Sequence, residues 1–193
     1  MELTTDIIKQ LRDATGVSVM QCKKALEEAG GDLAKAEVIL KKRAGASADK
    51  KADRELGAGA IGTYVHEGAI GSMVLLSCET DFVSKNPEFM ALAREVAMHV
   101  AASNPAYTTA VEIDEAAKGA AMAVFEKEVE GKPEAMKAQI LEGKMASYFK
   151  DQVLLDQSYI KDETKSIRDL LNEATQKFGE RVEVTKFARF SAR

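Results

Sequence analysis

The stretch Ala58-Gly59-Ala60-Ile61-Gly62-Thr63-Tyr64-Val65-His66-Glu67-Gly68-Ala69-Ile70-Gly71-Ser72-Met73-Val74-Leu75-Leu76-Ser77-Cys78 decides the fold class. Ile61, Thr63 and Val65 recur at the two-residue period of a strand, and Ile70 to Cys78 is an almost continuous apolar run centred on Met73-Val74-Leu75-Leu76. His66-Glu67-Gly68-Ala69 between them is short and supplies a glycine for the positive φ of a tight turn. This predicts an antiparallel hairpin whose second strand is covered on both faces.

Upstream, helical spacing takes over. Leu3, Ile7, Ile8 and Leu11 form one apolar stripe, with Thr4 or Thr5 as cap and Gly16 as stop. Ser18 and Gln21 have the spacing of a capping box before Cys22, Ala25, Leu26 and Ala29. Gly30-Gly31 ends that helix, and Asp32 caps a third with Leu33, Ala36, Ile39 and Leu40 inside. Three helices therefore fill residues 1–43, and the pattern then dissolves. Lys41, Lys42, Arg43, Lys50, Lys51 and Arg54 mark a basic tether, with residues 44–56 as the linker and 57–193 as a second domain.

Downstream, Asn86-Pro87 caps and opens a helix carrying Phe89, Leu92, Ala93, Val96, Ala97 and Val100. Asp114 to Val129 is Ala-rich and helical, Gly131 stops it, and Pro133 opens another helix through Met136, Ile140 and Leu141. Thr164 caps a last helix with Ile167, Leu170, Leu171, Ala174 and Phe178, closed by Gly179. Val182, Val184, Ala188 and Phe190 alternate in a final strand returning to the hairpin. The fold class is α+β, three N-terminal helices followed by a small antiparallel sheet packed with helices.

The 193 residues carry 27 Lys and Arg against 31 Asp and Glu, a net charge of −4 that argues against electrostatic binding to nucleic acid or an anionic membrane. No apolar run reaches the ~18 residues of a membrane helix, and Met1 leads into Glu2 and Asp6 rather than a signal segment, so a cytoplasmic location is expected. Cys22 and Cys78 have no cysteine neighbour and read as small buried apolar residues.

Catalytic chemistry is sparse. Cys78, His66 and Asp81 are the members of a conceivable thiol hydrolase, but the hairpin turn and the far end of its second strand lie roughly 25 Å apart at ~3.3 Å per residue. The ligands of a zinc site are lacking, and neither a Walker A motif nor GxGxxG is present. One segment stands apart, Cys78-Glu79-Thr80-Asp81-Phe82-Val83, where a buried strand runs into an acidic and then aromatic loop. Residue chemistry alone allows Thr80 or Asp81 to cap a helical turn while Phe82 closes over the core.

That segment, with Leu11-Arg12-x-x-Thr15-Gly16, Cys22-Lys23-Lys24-Ala25-Leu26, His66, His99-Val100-Ala101-Ala102, Gly131-Lys132-Pro133, Glu142-Gly143-Lys144, Leu155-x-Gln157 and Arg189-Phe190, resembles the bacterial elongation factor Ts family from end to end. The resemblance implies a guanine nucleotide exchange factor for elongation factor Tu, with no covalent chemistry and no cofactor of its own. Residues 1–43 would then be a ubiquitin-associated-like docking domain. Thr80, Asp81, Phe82 and Val83 would displace Mg²⁺ in the partner, with Phe82 inserted between its helices. Arg12 and Met20 would dock the GTPase, beside Val19, which stands where many relatives have a second Met. His66 is either a further contact or an exposed turn histidine, and His99 reads as a packing residue. Length for a single core implies the short class, in which two chains pair as a homodimer. A module binding ubiquitin-like or helical peptides is the rival reading of residues 1–43, and it leaves the other residues without a purpose.

Overall fold

The hairpin forms as its turn chemistry predicts. In the computed structural model, which describes residues 3–131 and 133–192, β1 (Ala58–His66) and β2 (Ile70–Cys78) pair antiparallel from Ala58 opposite Cys78 to His66 opposite Ile70. Met1, Glu2, Lys132 and Arg193 lie outside the described residues. The turn closes through Ala69 N–H donating to the His66 carbonyl at 2.9 Å, with positive φ at both Glu67 (49°) and Gly68 (70°). Such turns match the twist of the strands they join.

The last strand, β5 (Glu183–Ser191), joins the other edge of β2, giving the order β1-β2-β5. Its alternation is not uniform. The ladder jumps from Leu75–Lys186 to Leu76–Val184, and the extra residue, Thr185, reverses which side chains face inward. Val182 and Val184 are buried, but beyond the bulge it is Phe187 that packs on the core, while Ala188 and Phe190 turn out to solvent.

The second strand is covered on one face only, contrary to expectation. Val74, Leu76 and Cys78 are buried with Phe89, Ala93, Val96 and Val100 of α5 (Pro87–Ser103) and Ile167, Leu171 and Ala174 of α8 (Ile167–Phe178). Both helices lie on that side, so Met73 and Leu75 are left exposed with Ile61, Val65 and Phe190 on the outer face. Contact between α5 and β1 is unusually close at Gly62, where a Cβ would stand 2.0 Å from the Ala93 carbonyl oxygen. Asn86 starts α5 as expected, accepting a hydrogen bond from Glu88 N–H at 2.9 Å. Ser166, not Thr164, caps α8: it forms a reciprocal capping box with Asp169, while Thr164 lies in β4 (Asp162–Ser166), paired with β3 (Ser158–Tyr159). Local spacing did not reveal this two-stranded ribbon, because its polar residues carry no apolar period.

The N-terminal helices are α1 (Thr5–Thr15), α2 (Val19–Glu28) and α3 (Leu33–Asp49), closed around Leu11, Cys22, Ala25, Leu26, Ala36 and Leu40. Ser18 accepts from Gln21 N–H, but no capping box forms, since the Gln21 side-chain oxygen accepts instead from Gln176 of α8 at 3.0 Å. The third helix continues past Arg43 to Asp49 with Ala44 buried. Its alanines favour the helix, and it packs along α8, where Lys41 pairs with Asp169 at 3.0 Å. Between α5 and α8 in the chain, α6 (Glu115–Glu128) and α7 (Glu134–Lys150) form a helical hairpin, Asp114 capping the first and accepting from Ala117 N–H. Among the described residues no helix is long and apolar enough to cross a membrane.

Candidate functional site

Cys78 ends β2 inside the core, and the chain then turns outward through Glu79 and Thr80 into the single helical turn α4 (Asp81–Ser84). Val83 is buried in the chain's own core and anchors the turn. Phe82, one residue earlier, points the other way and is 82 % exposed. This excludes the reading in which Phe82 closes over the core. Fully burying such a ring would release ~1.5–3 kcal/mol, a gain this fold leaves uncollected. Asp81 is exposed and accepts from Lys85 Nζ at 2.6 Å; that bond holds its carboxyl below the usual carboxylate range.

Thr80 occupies the cap position of α4 but makes no capping bond. Its hydroxyl donates instead to Glu180 Oε1 at 2.5 Å, while Thr80 N–H and Glu79 N–H donate to Glu180 Oε2 at 3.0 and 3.1 Å. The arrangement is reciprocal. Glu79 Oε1 accepts from Arg181 N–H at 2.6 Å, Arg54 Nη1 donates to the Glu79 carboxylate at 3.2 Å, and Arg181 Nη1 donates to the Arg54 carbonyl at 2.5 Å, closing a ring. Burial pushes the Glu79 carboxyl up, but the Arg181 and Arg54 bonds outweigh it and hold it low. Glu180 and Arg181 follow the Gly179 stop of α8, and nothing in their local pattern marks them; in the sequence Arg54 stands out only as one cation of the basic tether.

The remaining candidates are all exposed but not gathered in one place. Val19 and Met20 sit side by side at the start of α2, and Arg12 lies on α1 near enough for its charge to act on the buried Cys22 thiol. His66 is at the opposite end of the hairpin from the loop, its Nδ1 3.1 Å from the Tyr64 hydroxyl. The strand register thus separates His66 from Cys78. Burial, and then the Glu180 charge, push the Cys78 thiol up, and its S–H donates to the Thr80 carbonyl at 3.2 Å, so it is a packed, unreactive group. His99 is buried on α5 as a packing residue. Among the described residues no group of three or more His, Cys, Asp or Glu side chains is placed to hold a metal ion.

Known proteins of matching sequence define the class: the chain is a translation elongation factor. It is 44 % identical over 191 residues to elongation factor Ts of Thermodesulfovibrio yellowstonii, covering 98 % of this chain and 96 % of that one. Elongation factor Ts of Thermotoga petrophila is 42 % identical with the same coverage, and that of Myxococcus xanthus 42 % identical over 98 % of this chain and 88 % of its own. The family model described as Elongation factor TS matches residues 4–193, and the chain belongs to that family.

Proposed function

We propose that this chain is a guanine nucleotide exchange factor that binds elongation factor Tu in its GDP form, dislocates the Mg²⁺ beside the nucleotide and promotes exchange of GDP for GTP, with no covalent chemistry. The observation that carries this reading is the exposed Phe82 ring on a loop anchored at both sides. A GTPase holds GDP through phosphate contacts and a bridging Mg²⁺. A ring that gains burial only when a gap opens favours the state in which those contacts are disrupted. By linkage, the factor then weakens nucleotide binding by the same ratio that nucleotide weakens the factor's own binding, and arriving GTP displaces it.

In this reading Thr80, Asp81 and Phe82 reach the partner, and Val83 supplies the anchor. Residues 1–43, continued by the rest of α3, form the docking unit, with Arg12, Val19 and Met20 as its contact residues; His66 provides a separate contact. The core, residues 57–193, carries the exchange loop and pairs with a second copy. The bare outer sheet face supports that pairing: Ile61, Val65, Met73, Leu75 and Phe190 form an apolar surface that a two-fold partner would cover with the same surface.

The test is release of fluorescent GDP from loaded elongation factor Tu. Addition of the chain accelerates release in proportion to its concentration until saturation. Release at the spontaneous rate at every concentration would overturn the proposal.

A further inference from the structure

We propose that Glu180 is the positioning residue of the exchange loop: it acts through Thr80 and Glu79 to hold Phe82 at a fixed height and angle, and so sets how much of the ring's contact with the partner becomes displacement. This rests on the exchange reading above. Phe82 can move a neighbouring protein only if its own base is stiffer than what it pushes against. Val83 fixes the far side of the turn by burial, and Cys78 fixes the strand end. Between them, the backbone at residues 79 and 80 has no sheet or helix partner for its N–H groups, and both go to the Glu180 carboxylate, together with the Thr80 hydroxyl. The base of the loop is therefore held from the α8–β5 connection, about 100 residues away in the chain.

The ring of Arg54, Glu79 and Arg181 braces the same connection from the other side. Arg54 lies just beyond α3, so the segment leaving the docking helices and the segment carrying Phe82 are both bonded to Arg181 and, through Arg54 and Glu79, to each other. Thr80 is exposed and Glu79 half-buried, so water can replace these hydrogen bonds if Glu180 is lost. Global stability changes little under that replacement, whereas the loop loses its fixed pose.

The experiment compares Glu180→Ala, Glu180→Asp and Glu180→Gln in the full chain. A glutamine is nearly isosteric: its oxygen accepts both N–H groups and its amide donates to the Thr80 hydroxyl, so it retains the pose. Alanine removes the clamp, and aspartate keeps the charge but falls short by one methylene. The expected result is a maximal GDP release rate reduced on the order of tenfold for Ala and Asp, near wild type for Gln, with the half-saturating concentration changed about twofold or less. Introduced into Phe82→Ala, the Glu180→Ala change has little further effect, because it acts through that ring.

Amide hydrogen exchange of the free protein reads the clamp without any partner. Glu79 and Thr80 exchange about tenfold faster in Glu180→Ala than in wild type or Glu180→Gln. Unchanged exchange at those two amides, or wild-type release by the Ala and Asp variants, overturns the proposal. If Glu180→Ala fails to fold, the Asp variant decides in both assays. If the wild-type chain does not accelerate GDP release from elongation factor Tu, the exchange reading fails, and the amide measurement alone settles whether Glu180 orders the loop.

Discussion

Glu180 and Thr80 are 100 residues apart in the chain, yet the Thr80 hydroxyl donates to the Glu180 carboxylate at 2.5 Å. That contact braces the segment that leaves the buried end of β2 and carries Phe82. An aromatic ring on a free loop would lose much of its contact energy to the loop's own disorder.

Phe82→Ala is expected to leave stability within about 1 kcal/mol of wild type, since an exposed ring leaves no cavity behind. The same variant slows GDP release from elongation factor Tu on the order of a hundredfold at equal concentration, the scale of losing an anchor side chain at a contact. Thermal melting and fluorescent GDP release, run on the same preparation, check both halves. A loss of ~3–5 kcal/mol in the melt would mark Phe82 as a packing residue instead.

Arg12→Ala and Met20→Ala act on docking, apart from the wedge. Each raises the concentration of factor needed for half-maximal release about five- to tenfold, while the maximal rate changes little. A titration of factor against loaded elongation factor Tu separates the two parameters; a fall in maximal rate at unchanged half-saturation would contradict the assignment. Point variants are the better probe than removal of residues 1–43, because α3 crosses that boundary and packs on α8.

The outer sheet face predicts the assembly. Sedimentation at micromolar concentration with reductant is expected to report twice the 20.9 kDa chain mass. Phe190→Asp, which places a charge where a ring is 74 % exposed, is expected to shift the protein to the monomer without unfolding it. A wild-type chain that sediments as a monomer removes the dimer and leaves the exchange proposal standing.

His99 makes stability depend on pH. Its Nε2 lies 2.9 Å from the Gln157 side-chain oxygen, and Ile160 N–H points at Nδ1 at 3.4 Å. Burial lowers its pKa below the ordinary histidine value, more than the Gln157 bond raises it. The unfolded chain therefore takes up a proton near pH ~6.5 while the folded chain resists until lower pH. The stability contribution is whole above that value and is lost as pH falls through the folded pKa. Denaturant unfolding at about pH 7.5 and about pH 5.5 checks this: wild type loses stability at the lower value, and His99→Gln loses less.

Much of this molecule was written in local chemistry. The turn at His66–Ala69, the caps at Asp32 and Asn86, and the stops at Gly16 and Gly179 depend on residues a few positions apart, so their spacing is readable along the chain. The acidic-aromatic segment was legible as well, since its residue types stand out against a buried strand. Two expectations fail where a neighbour distant in sequence outcompetes a local one. Gln21 was expected to close a capping box and instead binds Gln176; α3 was expected to stop at Arg43 and instead runs on to Asp49, packing along α8.

The sequence by itself determined the α+β class, the hairpin, most helix ends and the loop that bears Phe82, because each follows from backbone preference and periodic burial. Only the tertiary structure decided which sheet face stays bare, where the bulge at Thr185 reverses Phe187 and Phe190, and that Glu180 and Arg181 grip the base of the loop. These depend on where the helices settle and on pairs of side chains brought together across the fold. No local pattern encodes such pairs, since the energy that selects them exists only once the chain has closed on itself.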